Sequence, residues 1–191
     1  MFIPLRLPLA QAEAFYDRNE ARILALIERA KTEGRQWTTG EKIAWAGGAL
    51  TLVRDDSIKQ TTRIGDNLYI PASVRDPHAA FRRWIRAQAP ALLQPRVQYW
   101  AQRTQTQYSG LRYFFADLRM GTCSVRKEIR LNYKLVCLPP DVWDMVIVHE
   151  LMHTLCMDHS ARFHRLMDIH YPDWRVVRKR MRDGIASLRG L

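Results

Sequence analysis

The segment DMVIVHELMHTLCMDH, residues 144–159, constrains the fold more than any other part of the chain, because it sets three histidines and a glutamate into an otherwise apolar run. Such a run reads as a strongly apolar helix, where charged or half-charged groups are costly unless they are paired or bound to a metal ion. Residues four apart share a helix face, so His149 and His153 can aim ring nitrogens at one ion, with Glu150 beside it. This is the H-E-x-x-H arrangement, in which two histidines bind Zn²⁺ and the glutamate handles the proton of a bound water. The bland alternative is a set of histidines satisfied by hydrogen bonds in the core or at the surface.

A catalytic zinc needs three protein ligands and one open position. His159 follows His153 by six residues and is the natural third ligand, because Met157-Asp158 can turn the chain back and Asp tolerates left-handed backbone better than most residues. The spacing equals that of H-E-x-x-H-x-x-G-x-x-H, with Cys156 in place of the glycine. Cys156 can itself approach the same helix face, but a thiolate ligand would close the open position. His164 and His170 fall on the next helix and read as supporting or structural residues, and His78 is remote in sequence.

The rest of the chain supplies a frame for this helix. Residues 11–33 carry Ile23, Leu24, Leu26 and Ile27 among charges, which predicts an amphipathic helix ending near Gly34. KIAWAGGALTLV and TTRIGDNLYIP read as hairpin strands with turns at Gly47-Gly48 and Asp66-Asn67. Residues 77–104 have helical spacing interrupted by Pro90 and Pro95, which predicts two helices. LRYFFADLRMGTCS and KEIRLNYKL alternate as strands, with Ser124–Lys127 as the turn between them. After Pro139-Pro140, Asp141 is placed to cap the histidine helix; Ser160 is placed to cap the next one, which should stop at Pro172, and a basic helix follows. The order of helix, strands, helices, strands, helices is α+β.

Composition narrows the setting. Cys123, Cys137 and Cys156 are odd in number and lack C-x-x-C spacing, so reduced thiols are expected. No apolar run approaches the roughly 18–20 residues needed to span a bilayer, and MFIPLRLPLA has two prolines where a signal peptide needs an uninterrupted apolar stretch, so a cytoplasmic chain without a membrane partner is expected. The net charge of +11 favours contact with nucleic acid, nucleotides or acidic proteins, although arginines spread over helix faces also serve solubility.

Several segments together resemble the YgjP-like metallopeptidase family, a group of small bacterial zincins related to the WLM and SprT-like proteins. In that family a G-S-C-S segment leads through a hairpin to I-x-L-N, a Pro-flanked loop, V-I-V-H-E-L-x-H, a turn to H-S-x-x-F, and P-D. Here these read GTCS (121–124), IRLN (129–132), LPPDVWDMVIVHELMH (138–153), HSARF (159–163) and PDW (172–174), in the same order and spacing. Met120, Thr122 and His164 depart from the family's usual tryptophan, serine and bulky aromatic.

The resemblance implies a small zincin-like domain over residues 40–191, with an antiparallel or mixed sheet, behind an N-terminal helical extension over 1–39. It implies one Zn²⁺ per chain held by His149, His153 and His159. Zinc would acidify its water and polarise a carbonyl, while Glu150 takes the proton as general base and later gives it to the leaving amine. The edge strand after Gly121 would receive a protein or peptide substrate, although Gly121 can also be a simple bulge. Tyr133, His164, Tyr171 and Arg175 are unranked candidates for the further oxyanion donor such chemistry needs. Two other readings remain open. Some family members carry an assignment as nucleoside triphosphate pyrophosphohydrolases, and Arg112, Arg119, Arg126, Lys127 and Arg130 could hold phosphates. A basic nucleic-acid-binding module with a structural zinc is the non-enzymatic alternative.

Overall fold

A computed structural model describes residues 36–188, and from Trp37 onward these belong to one compact unit. The expected helix over 11–33 lies outside the described residues. The chain first forms a four-stranded sheet of β1 (Lys42–Trp45), β2 (Gly48–Arg54), β3 (Thr62–Ile64) and β4 (Asn67–Ile70), in the order β1-β2-β4-β3. Both hairpins form, each turning one residue earlier than the glycine and Asp-Asn pairs predict. Ala46 and Gly47 make the first turn at φ 51° and 84°, and Gly65, at φ 58°, opens the second. Gly48 and Asn67 instead take strand partners, Trp45 and Ile64. Gly47 has a second reason to lack a side chain: a Cβ there would lie 3.3 Å from Pro140 Cδ. The parallel pairing of β2 with β4 was not foreseen, because local alternation carries no information about which strands become neighbours.

One helix, α1 (Pro77–Arg103), follows where two were expected. Asp76 caps it by accepting a hydrogen bond from the Ala79 N–H at 2.8 Å, and Pro77 occupies the first turn. Pro90 and Pro95 deprive the carbonyls of Arg86 and Ala91 of their helical donors, yet both those residues are exposed and water can solvate them. The opposite face, including Phe81, Trp84, Ile85, Leu93 and Val97, is buried, and that continuous packing carries the helix through both prolines.

The second sheet contains β5 (Gly110–Phe114), β6 (Gly121–Cys123) and β7 (Glu128–Asn132), in the order β5-β7-β6. The predicted turn forms, with Lys127 at φ 60° and its N–H donating to Ser124 O at 2.8 Å. The strand expected before it is broken in two, however: β5 runs parallel to β7, and the chain crosses at 115–120 to lay β6 antiparallel along the other side. Asn132 fixes that crossing. Its Nδ2 donates to the carbonyls of Ala116 and Arg119 at 2.7 and 2.8 Å, and its N–H donates to Met120 O at 2.8 Å.

A 3-10 turn (Tyr133–Cys137) leads into α2 (Pro140–His153), then α3 (Ala161–His170) and the basic α4 (Trp174–Ser187). The architecture is α+β with mixed sheets. Asp141 does not cap α2; Pro139 precedes the helix, and Asp141 lies in its first turn, where it pairs with Arg180 of α4 at 2.6 Å. Ser160 does hold the N-cap position of α3, without a capping hydrogen bond from its hydroxyl. Arg96 of α1 grips the Asp144 carboxylate with contacts of 2.6 and 2.7 Å, so α2 is tied to helices on two sides while Val142, Ile147, Val148 and Leu151 are wholly buried.

Candidate metal centre

The last turn of α2 presents His149 and His153 on one face, their Nε2 atoms 3.2 Å apart. Beyond it the chain closes a short loop. The N–H groups of Leu155 and Cys156 both donate to Met152 O at 3.0 Å, and Asp158 Oδ1 accepts from the Cys156 thiol at 3.1 Å and the Ser160 N–H at 3.3 Å. No residue from Thr154 to Ser160 has a positive φ, so the return needs neither a glycine at 156 nor left-handed backbone at Asp158, contrary to the expectation from sequence. The loop brings His159 Nε2 to 3.2 Å from His149 Nε2.

All three donor atoms lie within 4.8 Å of one another. Three nitrogens about 2.0–2.1 Å from a tetrahedrally bound ion stand roughly 3.3–3.4 Å apart, and the two 3.2 Å contacts of His149 fit such an ion. Protonation agrees with the geometry. His153 Nδ1 faces the Cys156 carbonyl at 3.0 Å, a contact that places the proton on Nδ1 and leaves Nε2 as a lone pair. Burial holds His149 down to about 3, with His153, His159, Arg178 and His164 acting in the same direction, and burial also lowers His153. Imidazoles converging in this way suit a borderline divalent cation.

Phe163 of α3 supports all three rings, with centroids at 4.9 Å from His149, 4.5 Å from His153 and 4.8 Å from His159. It is 1% exposed. The H-S-x-x-F segment contains it, but nothing in its sequence setting assigns it this role.

Glu150, 5% exposed, points from α2 toward β6. Gly121 is regularly paired with Leu131, so it is not a bulge; a Cβ built on it would lie 2.5 Å from Glu150 Oε1. The strand can approach the carboxylate only because that atom is missing. Burial pushes the Glu150 carboxyl up to about 8, and the Arg119 guanidinium draws it the other way. Among the described residues the carboxylate takes no hydrogen bond, which leaves it available to the cleft.

That cleft, of about 250 Å³, is lined by the three histidines, Glu150, Met157 and the β6 residues Gly121, Thr122 and Cys123. A larger cavity of about 540 Å³, beside Lys59, Arg83 and Trp84, has no histidine, cysteine or carboxylate in its wall. Cys156 directs its thiol at Asp158 and Ser160. His164 stacks on Trp174 at 5.6 Å, and His78 lies against Trp37. None of the oxyanion candidates lines the cleft or the pocket contiguous with it. Tyr133 packs on Tyr113 and Phe115, the Tyr171 hydroxyl donates to Asp141 O, and Arg175 pairs with Asp168. Arg119 borders the cleft instead, as does Arg178 in a contiguous pocket, and Arg178 was not singled out from sequence.

A family model described as YgjP-like, metallopeptidase domain, matches residues 1–183. The chain belongs to the YgjP-like metallopeptidase family. The resemblance carried by the GTCS, IRLN and HELMH segments is thereby borne out, and with it a metallopeptidase in the general sense. No curated protein matches this YgjP-like chain. Among solved structures it is similar to the metallopeptidase zymogen of Pyrococcus abyssi abylysin, at 17% identity and a TM-score of 0.43, over 47% of this chain and 90% of that one. No helix among the described residues of this YgjP-like member is long and apolar enough to cross a membrane.

Proposed function

We propose that the chain is a zinc-dependent peptidase in which His149, His153 and His159 hold one Zn²⁺ and Glu150 is the general base. The observation that carries this reading is the convergence of three Nε2 atoms, two of the contacts at 3.2 Å, next to a buried carboxylate in a cleft. Bound zinc supplies Lewis acidity, which acidifies water and polarises a carbonyl.

The chain's own groups do the rest. Glu150 accepts a proton from water and returns it to the leaving amine; its burial favours the protonated form between those two transfers, and a cation beside it favours the ionised form before them. Among the described residues β6 is paired only on its β7 side, so an extended peptide can add to its other edge with Gly121 and Thr122 against the cleft. The Cys156 thiol, occupied by Asp158 and Ser160, is no candidate fourth ligand, which favours an open position over a structural zinc.

Zinc-loaded protein should cleave unstructured protein substrates with one zinc per chain, and both Glu150→Gln and metal-stripped protein should be inactive. Cleavage that survives in Glu150→Gln would overturn the role of that residue. Pyrophosphate release from nucleoside triphosphates, lost in the same two controls, would move the chemistry to nucleotides.

A further inference from the structure

Beside the cleft lies a contiguous pocket of about 220 Å³ that shares His149, Glu150 and His159 with it. Its wall is otherwise of two kinds. Met120, Met145, Val146 and Met181 are apolar, and Met120, Met145 and Val146 are buried. Arg119, from the crossing before β6, and Arg178, from α4, both line the same pocket. Both arginines are exposed, and neither has an ion-pair or hydrogen-bond partner for its guanidinium among the described residues.

This contrasts with three arginines of the helices. Arg96, Arg175 and Arg180 each pair with a carboxylate. Arg119 is also held in place, because its own carbonyl accepts the Asn132 amide at 2.8 Å. A pocket with an apolar wall and two uncommitted forks suits a ligand with an apolar body and a planar anion, since a guanidinium matches a carboxylate in geometry and donor number.

We propose that Arg119 and Arg178 select peptides carrying a carboxylate next to the bond that Glu150 addresses. The pocket therefore sets substrate class: acidic or carboxyl-terminal positions over neutral or basic ones. This deepens the peptidase reading and rests on it. The carboxylate can belong to a Glu or Asp side chain or to the peptide's C-terminus, and the same chemistry recognises either.

The test measures binding rather than turnover. Full-length zinc-loaded Glu150→Gln protein is titrated with fluorescent peptides of one apolar sequence in four forms: C-terminal acid, C-terminal amide, amide with one internal Glu, and amide with one internal Lys. At least one carboxylate form should bind about tenfold tighter than the neutral amide, the Lys form should bind weakest, and the preference should fall to about twofold or less when Arg119→Gln and Arg178→Gln are added. Which carboxylate form wins identifies the source of the anion. Arg→Lys at both positions should recover part of the preference, since charge is kept and the fork is lost. Binding of both carboxylate forms no tighter than that of the neutral amide would overturn the proposal, as would a preference that survives loss of both arginines, or a nucleoside triphosphate that displaces the preferred carboxylate peptide more strongly than the unlabelled peptide does. Zinc content measured on the same samples reports separately on the metal site, so failure there is distinguishable from failure of the arginine pocket.

Discussion

At Gly121 a single missing atom decides how close a strand can come to a carboxylate. A Cβ would meet Glu150 Oε1 at 2.5 Å and Cγ at 2.8 Å, contacts that real side chains do not make. Gly121→Ala should therefore displace the Glu150 side chain or lift β6, lowering kcat by about a hundredfold through misplacement. Metal content should stay unchanged, because the three atoms nearest that Cβ position all belong to Glu150 and none to a histidine. Steady-state kinetics with metal analysis of the same preparation checks both halves of the prediction. Such residue-scale facts were partly legible. His149, His153, His159 and Glu150 could be picked out because ligand types recur at helical spacing, and the structure brings them together. Phe163, Arg178 and the reason for Gly121 could not, because each acts through a neighbour distant in sequence.

At the scale of elements, β6 depends on the crossing at 115–120, and that crossing depends on Asn132. The Asn132 side chain is fully buried and makes three hydrogen bonds: Nδ2 to two carbonyls, and Oδ1 accepting from the Lys134 N–H at 2.9 Å. Lys134, 3% exposed, adds an ion pair from its Nζ to Asp117 at 3.0 Å, although Asp117 itself is largely in solvent. Asn132→Ala should cost roughly 1–3 kcal/mol of stability by leaving buried backbone groups unpaired. Its KM should rise more than its kcat falls, because the edge strand and Arg119 shift while the histidine helix does not. Urea unfolding and peptide kinetics separate the two effects. The helix and strand segments were largely visible as local periodicity. The continuity of α1 through Pro90 and Pro95, and the parallel pairs β2–β4 and β5–β7, were not, since they follow from burial and strand order in the finished fold.

At the scale of the whole molecule, α2 is part of the core whether or not an ion is held at its end. Val142, Ile147, Val148, Leu151 and Met152 are each fully buried, and α1 and α4 grip the helix through Asp144 and Asp141. Removing zinc with a chelator should therefore abolish activity and leave the far-ultraviolet circular dichroism unchanged. The thermal midpoint should fall, by an amount equivalent to about 4 kcal/mol when free zinc had stood a thousandfold above its Kd. A chain that unfolds on chelation would make the metal structural as well. The three histidines also differ in their access to water: His153 is 8% exposed, His149 is half-buried and His159 is exposed. Exchange of a bound ion should thus be asymmetric. An ion held there would enter and leave past His159, and the Cys156–Asp158–Ser160 contacts that steady that loop would set its residence time, so a substitution such as Asp158→Ala should speed metal release to a chelator without touching any of the three histidines.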